Sequence, residues 1–144
     1  MATRRQYWLI KSEPTVYPYS QLVADGSTHW DGVRNYEARN NLRAMKKGDL
    51  ALFYHSNEGK DVVGVARVKR EHYQDPTTDE DWSVVDFEPV VTLKQSVTLA
   101  EIKASKSLAK IALVKKSRIS VVPVTPEEFE TILSMGKTKL PKAS

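Results

Sequence analysis

The chain has 144 residues, a length that suits one domain, and it contains no cysteine. The lack of cysteine excludes disulfides, thiolate nucleophiles and cysteine-based zinc sites. A formal net charge of +4 permits a nucleic-acid partner without requiring one. The N-terminus leads into Tyr7–Ile10 without an apolar stretch of signal-peptide or membrane-helix length, so we expect a soluble, cytoplasmic protein without a membrane partner, and a monomer.

The first third of the chain predicts one strand and two short helices. Tyr7–Lys11 is rich in β-forming residues and is closed by a proline, which indicates a strand. A brief helix is expected over Ser20–Asp25, capped by its first residue and stopped by Gly26. A second helix is expected over Asn35–Met45.

The middle of the chain predicts a β-hairpin followed by a third long strand. Leu50–His55 alternates like a strand, Asn57–Gly59 has turn composition, and Val62–Val68 is the return strand. Gly64 within the return strand indicates a bulge or a close backbone approach. The next β-rich run is Trp82–Leu93.

The last third carries two capping boxes, at Thr98–Glu101 and Thr125–Glu128, and each should open a helix. Arg118–Val124 is predicted as an edge strand because it contains a proline. Residues 1–136 then form a single domain, and the tail 137–144 is expected to be frayed. Five or so strands with short helices and irregular links favour a mixed, barrel-like α+β domain over a doubly wound sheet.

Signals for catalysis are weak, and no metal or cofactor is expected. The three histidines lie in different segments and match no metal-binding spacing, and no nucleophile elbow or phosphate-binding glycine loop is present. His55 and Ser56 are neighbours at a strand end, where their side chains point in opposite directions.

The segment Trp30–Arg43 combines a tryptophan with three asparagines and three arginines but few apolar groups. Asparagine and arginine leave water only when partners are supplied, so a planar, polar ligand such as a nucleobase fits this composition. Trp30 is either a core residue or the stacking wall of a base pocket, and both can hold. Among the asparagines we select Asn35, at the mouth of the predicted helix.

Polar residues also close two of the predicted strands. Ser12 offers a hydroxyl and Glu13 an acceptor for a base edge, and Tyr54–Ser56 ends another strand in the same way. Each group is either a plain strand end or part of a site, and the two form one site if their strands are neighbours. The basic run Lys103–Arg118 is either a solvated face or a track for phosphates.

Several longer motifs occur in a characteristic order along nearly the whole chain. They are Tyr7–Pro14, Trp30–Tyr36, Ala38–Arg43, Gly48–Asp49, Phe53–Ser56, Asp75–Thr77 and Arg118–Val124. In residues and order they resemble the EVE domain family. The resemblance implies a PUA-like mixed β-barrel of about five to six strands with short flanking helices, related to YTH domains and other readers of modified bases.

For function, the resemblance implies a non-enzymatic module that captures a modified base, a modified cytosine or a related base, in DNA or RNA. The pocket residues that it implies are Lys11, Ser12, Glu13, Trp30, Asn35, Tyr36, Tyr54, His55, Ser56 and Asp75. The rim or nucleic-acid backbone contacts are Arg34, Arg39, Lys115, Lys116 and Arg118.

The loop after Asp75 departs from the family pattern. Family members usually carry a longer insertion there, often ending in Pro-Arg-Trp, whereas Trp82 follows the Asp-Pro-Thr motif within five residues here. Whether Trp82 replaces the aromatic residue of that insertion stays open. Two other functions also stay open: an enzyme acting on nucleic acid or nucleotides, with Glu13, Asp31 or His55 as acid or base, and a sensor of free nucleoside-like molecules.

Overall fold

A computed structural model describes residues 5–31 and 33–141 of the chain. The strands are β1 (Tyr7–Ser12), β2 (Thr28–His29), β3 (Leu50–His55), β4 (Asp61–Gln74), β5 (Ser83–Thr98) and β6 (Val121–Val124). The helices are α1 (Tyr19–Asp25), α2 (Tyr36–Ala44), α3 (Leu99–Ala104), α4 (Ala112–Lys115) and α5 (Pro126–Met135), with a short 3-10 helix at Lys106–Leu108. None of the helices that the structure describes is long and apolar enough to cross a membrane.

The six strands form one mixed sheet in the order β2-β5-β4-β3-β1-β6. Only β1 and β3 are paired in parallel, and the remaining described pairs are antiparallel. The predicted α+β class is confirmed. The sheet is open rather than closed into a barrel, because β2 and β6 are its two edges.

Both faces of this sheet are buried. On one face, α3, α4 and α5 pack over a core that includes Tyr54 and Phe129. On the other face, α1 and α2 pack over a core that includes Trp30 and Phe53. Successive side chains of a strand point to opposite faces, so the neighbours Phe53 and Tyr54 enter different cores.

Most of the predicted elements occur where the sequence indicates them. The hairpin strand Leu50–His55 has its predicted bounds, and both capping boxes are formed, by Thr98 with Glu101 and by Thr125 with Glu128. The proline-containing strand is an edge strand, as predicted, but it begins at Val121.

The first helix starts one residue earlier than predicted. Its N-cap is Pro18, which makes no side-chain cap, and not Ser20. The reason is the ring of His55, whose Nε2 accepts a hydrogen bond of 3.1 Å from the backbone N–H of Tyr19 and so satisfies a donor of the first turn. The helix ends at Gly26 as predicted, with φ 80° in the left-handed region.

The C-terminal segment differs from the predicted frayed tail. Thr138 is only 7% exposed. Its hydroxyl accepts from the backbone N–H of Lys94 at 2.8 Å and donates to the carbonyl of Gly136 at 2.8 Å. The first of these bonds fastens Thr138 to β5, and residues 142–144 lie outside the described part of the chain.

Gly64 lies at a bulge and at a close approach, as its place in the strand predicts. The register between β4 and β5 shifts between Val62 and Gly64. A Cβ atom at Gly64 would lie 2.5 Å from carbon atoms of the Tyr19 ring. The Tyr19 hydroxyl donates to the carbonyl of Val65 at 2.7 Å, which keeps the ring in this place.

We therefore expect Gly64→Ala to lower the free energy of unfolding by about 1–3 kcal/mol, since the methyl group overpacks against an anchored ring. Urea denaturation measures the change. Gly48→Ala is the control: its added Cβ meets nothing within 4 Å, although φ is 95° there, so it reports backbone strain alone. A loss at Gly64 smaller than about 1 kcal/mol would contradict the steric argument.

Candidate functional site

A hollow of about 370 Å³ opens beside the end of β1, within the range of about 300–1,000 Å³ that is usual for ligand pockets. Its walls come from the end of β1, the loop before α1, β2 with the segment that follows it, and the residue before β6. The lining residues are Lys11, Ser12, Val16, Tyr17, Thr28, His29, Trp30, Asp31, Val33, Arg34 and Ser120.

A larger hollow of about 850 Å³ lies between β5, α5 and the C-terminal segment. It is lined by residues such as Lys94, Glu130 and Thr138 and contains none of the residues that the sequence selects as a site. We take the smaller hollow as the candidate site because residues from three of the motifs line it, and they include aromatic, cationic and hydroxyl side chains.

Trp30 is mainly a core residue, with 9% of its surface exposed. Its indole meets Phe53 and Phe87 edge-on, at centroid distances of 5.5 and 5.7 Å, and Tyr17 at 6.2 Å. The core interpretation is confirmed. The indole also borders the hollow, which the base-pocket interpretation requires, and Tyr17 supplies a second aromatic wall.

The end of β1 reaches the hollow with Lys11 and Ser12. The Lys11 ammonium donates to the carbonyl of Ser117 at 2.9 Å, and burial lowers the pKa of Lys11 from its usual value. The Ser12 hydroxyl donates to the carbonyl of Tyr17 at 2.7 Å and so holds the loop before α1 in place. Glu13 is exposed outside the lining, where it accepts from Asn57.

The end of β3 does not contribute to the hollow, although β1 and β3 are neighbours as the one-site hypothesis requires. Tyr54 is buried in the core on the opposite face. His55 caps α1, and burial lowers its pKa, opposed by the nearby Asp61 carboxylate. The backbone N–H of Ser56 donates to the backbone carbonyl of Ser12 at 2.9 Å. The prediction that the ends of β1 and β3 share a pocket is therefore corrected. The two strands pair through their backbones, but Tyr54, His55 and Ser56 do not line the hollow.

Asp75 does not line the hollow, but it contacts Arg34, which does. Its carboxylate has no exposed surface and accepts from Arg34 Nη1 at 3.1 Å and from the backbone N–H of Thr77 at 2.8 Å. Arg34 Nη1 also donates to the carbonyl of Val33 at 2.9 Å. The carboxylate thus holds the guanidinium at the wall of the hollow.

Asn35 and Tyr36 lie at the start of α2, outside the lining. Asn35 caps the helix, with its Oδ1 accepting from the N–H of Ala38 at 3.0 Å. Tyr36 is 68% exposed and stacks on Trp82, with ring centroids 5.2 Å apart and planes inclined by 18°. Trp82 therefore supplies an aromatic surface beside the hollow and does not enter it.

The basic residues selected for the rim divide into two groups. Lys115, Lys116 and Arg118 are exposed and do not line the hollow, but they are close in the chain to Ser117, whose carbonyl accepts from the lining residue Lys11. Lys116 is paired with Glu37. Arg39 lies on α2 and pairs with Asp81 at 3.3 Å.

Several lining residues were missed by the sequence reasoning. Tyr17 lies three residues after the motif Tyr7–Pro14, and this closeness in the chain is a signal that could have found it. Thr28 and His29 lie in a two-residue strand, which is too short to carry a pattern. Asp31 was predicted only as a possible acid or base of an enzyme, and its Oδ2 lies 3.7 Å from His29 Nε2. Within the described ranges, no group of three or more His, Asp or Glu side chains could hold a metal ion.

The sequence model of the EVE domain matches residues 6–135. The chain belongs to the EVE domain family. Human thymocyte nuclear protein 1 is 37% identical to it over an alignment 164 residues long, which covers 90% of this chain and 73% of the human one. The recognised family is confirmed.

Two solved structures have folds that closely resemble the fold of this EVE domain. A protein from Agrobacterium tumefaciens is 45% identical, with a TM-score of 0.91 over 95% of this chain and 99% of its own. The human THYN1 protein, in complex with 5-methylcytosine containing DNA, is 35% identical, with a TM-score of 0.85 over 93% of this chain and 99% of its own.

A more distant likeness concerns the fold alone. The YTH domain of the Zygosaccharomyces rouxii MRB1 protein, solved with N6-methyladenosine RNA, superposes with a TM-score of 0.62 at 14% identity, covering 97% of this chain and 91% of its own. The predicted relation to YTH domains is confirmed at the level of the fold.

Removing the carboxylate charge of Asp75 should disturb the EVE domain far more than removing that of Asp81. We expect Asp75→Asn to lower the free energy of unfolding by about 1.5–3 kcal/mol, because the fully buried carboxylate accepts charge-assisted hydrogen bonds from the half-exposed Arg34 and from the backbone of Thr77. Asp81 also holds arginines but is 77% exposed, so Asp81→Asn should leave the thermal midpoint close to that of the wild type. Equal midpoints for the two variants would contradict a special role of Asp75.

Proposed function

We propose that this EVE domain binds nucleic acid, DNA or RNA, and holds one modified base, a modified cytosine or a related base, in the hollow beside β1. The observation that carries the proposal is the hollow itself, whose lining combines the aromatic residues Trp30 and Tyr17 with the cationic residues Lys11 and Arg34. The human THYN1 protein in complex with 5-methylcytosine containing DNA supports a ligand of this class.

The lining suits a flat molecule with a polar edge. Tyr17 and the apolar side chains of Val16 and Val33 border the hollow, and Thr28 and Ser120 add hydroxyl groups. A site built to hydrogen-bond a base edge rejects bases that leave its groups unpaired, which costs about 1–3 kcal/mol per group. A methyl group placed against a valine adds only about 0.8 kcal/mol, so the polar edge would supply most of the discrimination.

Capture of a base from a strand has a cost that the hollow must offset. Extruding a base takes a few kcal/mol, and stacking on an aromatic ring returns about 1–3 kcal/mol. Because Trp30 exposes only 9% of its surface, Tyr17 and the hydrogen-bonding groups would share this task with it. Phosphate contacts by Lys115 and Arg118 would add affinity that does not depend on sequence.

The proposed role is binding and not catalysis. His55, one of the three candidates for an acid or base, uses its Nε2 to accept from the backbone N–H of Tyr19 and lies outside the hollow. One feature favours an enzyme instead, namely the pair of His29 and Asp31 in the lining. Incubation with labelled oligonucleotides, with and without magnesium, decides between the two, and turnover that disappears in His29→Ala would overturn the binding role.

Lys11→Met tests the hollow while keeping the apolar stem of the side chain. Loss of a charged hydrogen-bond donor costs about 1.5–3 kcal/mol, so we expect affinity for 5-methylcytosine oligonucleotides to fall roughly 10- to 150-fold. Fluorescence anisotropy with modified and unmodified DNA and RNA measures this. Lys94→Met, in the larger hollow, is the matched control and should bind like the wild type. Equal losses in both variants would place the ligand elsewhere.

The salt dependence of binding tests the basic residues Lys115 and Arg118. For a single strand, each phosphate contact contributes about 0.7 to the slope of log K against log salt. We expect Lys115→Ala and Arg118→Ala each to reduce the slope by about that amount and to leave the preference for the modified base unchanged. Lys137→Ala, an exposed residue of the larger hollow, should not change the slope. A sensor of free nucleosides would show little salt dependence in any variant.

A further inference from the structure

An exposed aromatic stack lies beside the hollow and has no role in the site described so far. Tyr36 keeps 68% of its surface exposed although it stacks on Trp82 at 5.2 Å. Large aromatic side chains are mostly buried, and a ring that only fastened a loop would gain most from burial. The exposure of Tyr36 therefore leaves an aromatic surface available for a ligand.

Two guanidinium groups surround this stack. The Arg39 guanidinium carbon lies 5.0 Å from the ring centroid of Tyr36 and 5.8 Å from that of Trp82, and the Arg34 carbon lies 5.5 Å from that of Trp82. We call the two rings with these two arginines the platform. Aromatic rings flanked by arginines are the combination that holds single-stranded nucleic acid, through base stacking and phosphate attraction.

The arginines beside the platform can exchange their present anionic partner for a phosphate. Arg39 and Arg43 both pair with the carboxylate of Asp81, so two cations share one anion. Asp81 is 77% exposed, and an ion pair this exposed contributes little stability. A phosphate group can therefore compete for the same arginines at small cost.

The platform is continuous with the hollow through Arg34. This side chain lines the hollow and also approaches the ring of Trp82. Its guanidinium is fixed between the two by the buried carboxylate of Asp75. The platform is therefore within reach of a strand that places one base in the hollow.

We propose that the platform stacks on an unpaired nucleotide adjacent to the captured base, on the ring of Tyr36. The domain then binds a short single-stranded segment of nucleic acid and not one isolated base. This inference rests on the proposed function of the hollow, but the two make different predictions. The hollow sets the preference for the modified base, whereas the platform strengthens binding of any strand.

The test compares Tyr36→Ala with the wild type on three probes. These are a single-stranded DNA of about nine nucleotides containing one 5-methylcytosine, the same strand unmodified, and the free 5-methylcytosine nucleoside. We expect Tyr36→Ala to weaken binding of both strands by the same factor, roughly 5- to 150-fold, and to leave nucleoside binding unchanged. Tyr36→Phe retains the ring and should bind like the wild type.

Two outcomes would overturn the platform. The first is an unchanged affinity of Tyr36→Ala for the strands. The second is that Tyr36→Ala loses both affinity and the preference for the modified base, which would assign Tyr36 to the hollow. If the wild type shows no preference for the modified strand, the proposed function of the hollow fails, yet an equal loss for both strands still supports the platform. Photo-crosslinking of wild-type protein to a strand with 5-bromouracil next to 5-methylcytosine gives a second readout. Adducts at Tyr36 or Trp82 support the proposal, and adducts only elsewhere contradict it.

Discussion

The contact between Asp75 and Arg34 is the constraint on which the functional surface of this EVE domain depends. A carboxylate without exposed surface is costly unless every oxygen has partners, and Thr77 and Arg34 supply them. The contact fixes a guanidinium that would otherwise sample many rotamers in solvent. Because Arg34 borders the hollow and also approaches Trp82, one buried acid organises two neighbouring surfaces. The short loop after Asp75 is thereby tied to the segment that follows Trp30.

The local elements could be predicted because short stretches of sequence determine them. The capping boxes at Thr98 and Thr125 are formed within four residues, and Gly64 is required where the Tyr19 ring meets the backbone. The parallel pairing of β1 with β3 could not be predicted, since it joins segments about forty residues apart and depends on the whole sheet. The open edge at β2 was missed for a different reason, because two residues carry no periodicity.

The structure brings predicted site residues together where a motif and the geometry of the strand agree. Lys11, Ser12 and Trp30 come from long motifs and do border the hollow. The motif around Tyr54 is as distinct in the sequence, yet it serves the opposite core and the cap of α1. A family motif marks positions that matter without stating whether they bind a ligand or hold the fold. Only the direction of each side chain separates these roles, and it follows from strand register, which one sequence does not reveal.

The place of β1 in the sheet has a consequence for biosynthesis. β1 is made first but lies between β3 and β6, and the hydrogen bonds to Val121–Val124 close its second side. While the ribosome is still adding the last strand, the nascent chain carries Leu9 and Ile10 on an uncovered edge of the kind that promotes association between chains. A truncated chain that ends before Val121 would keep this edge exposed permanently. Quality-control proteases and chaperones should therefore recognise such fragments by the exposed edge of β1.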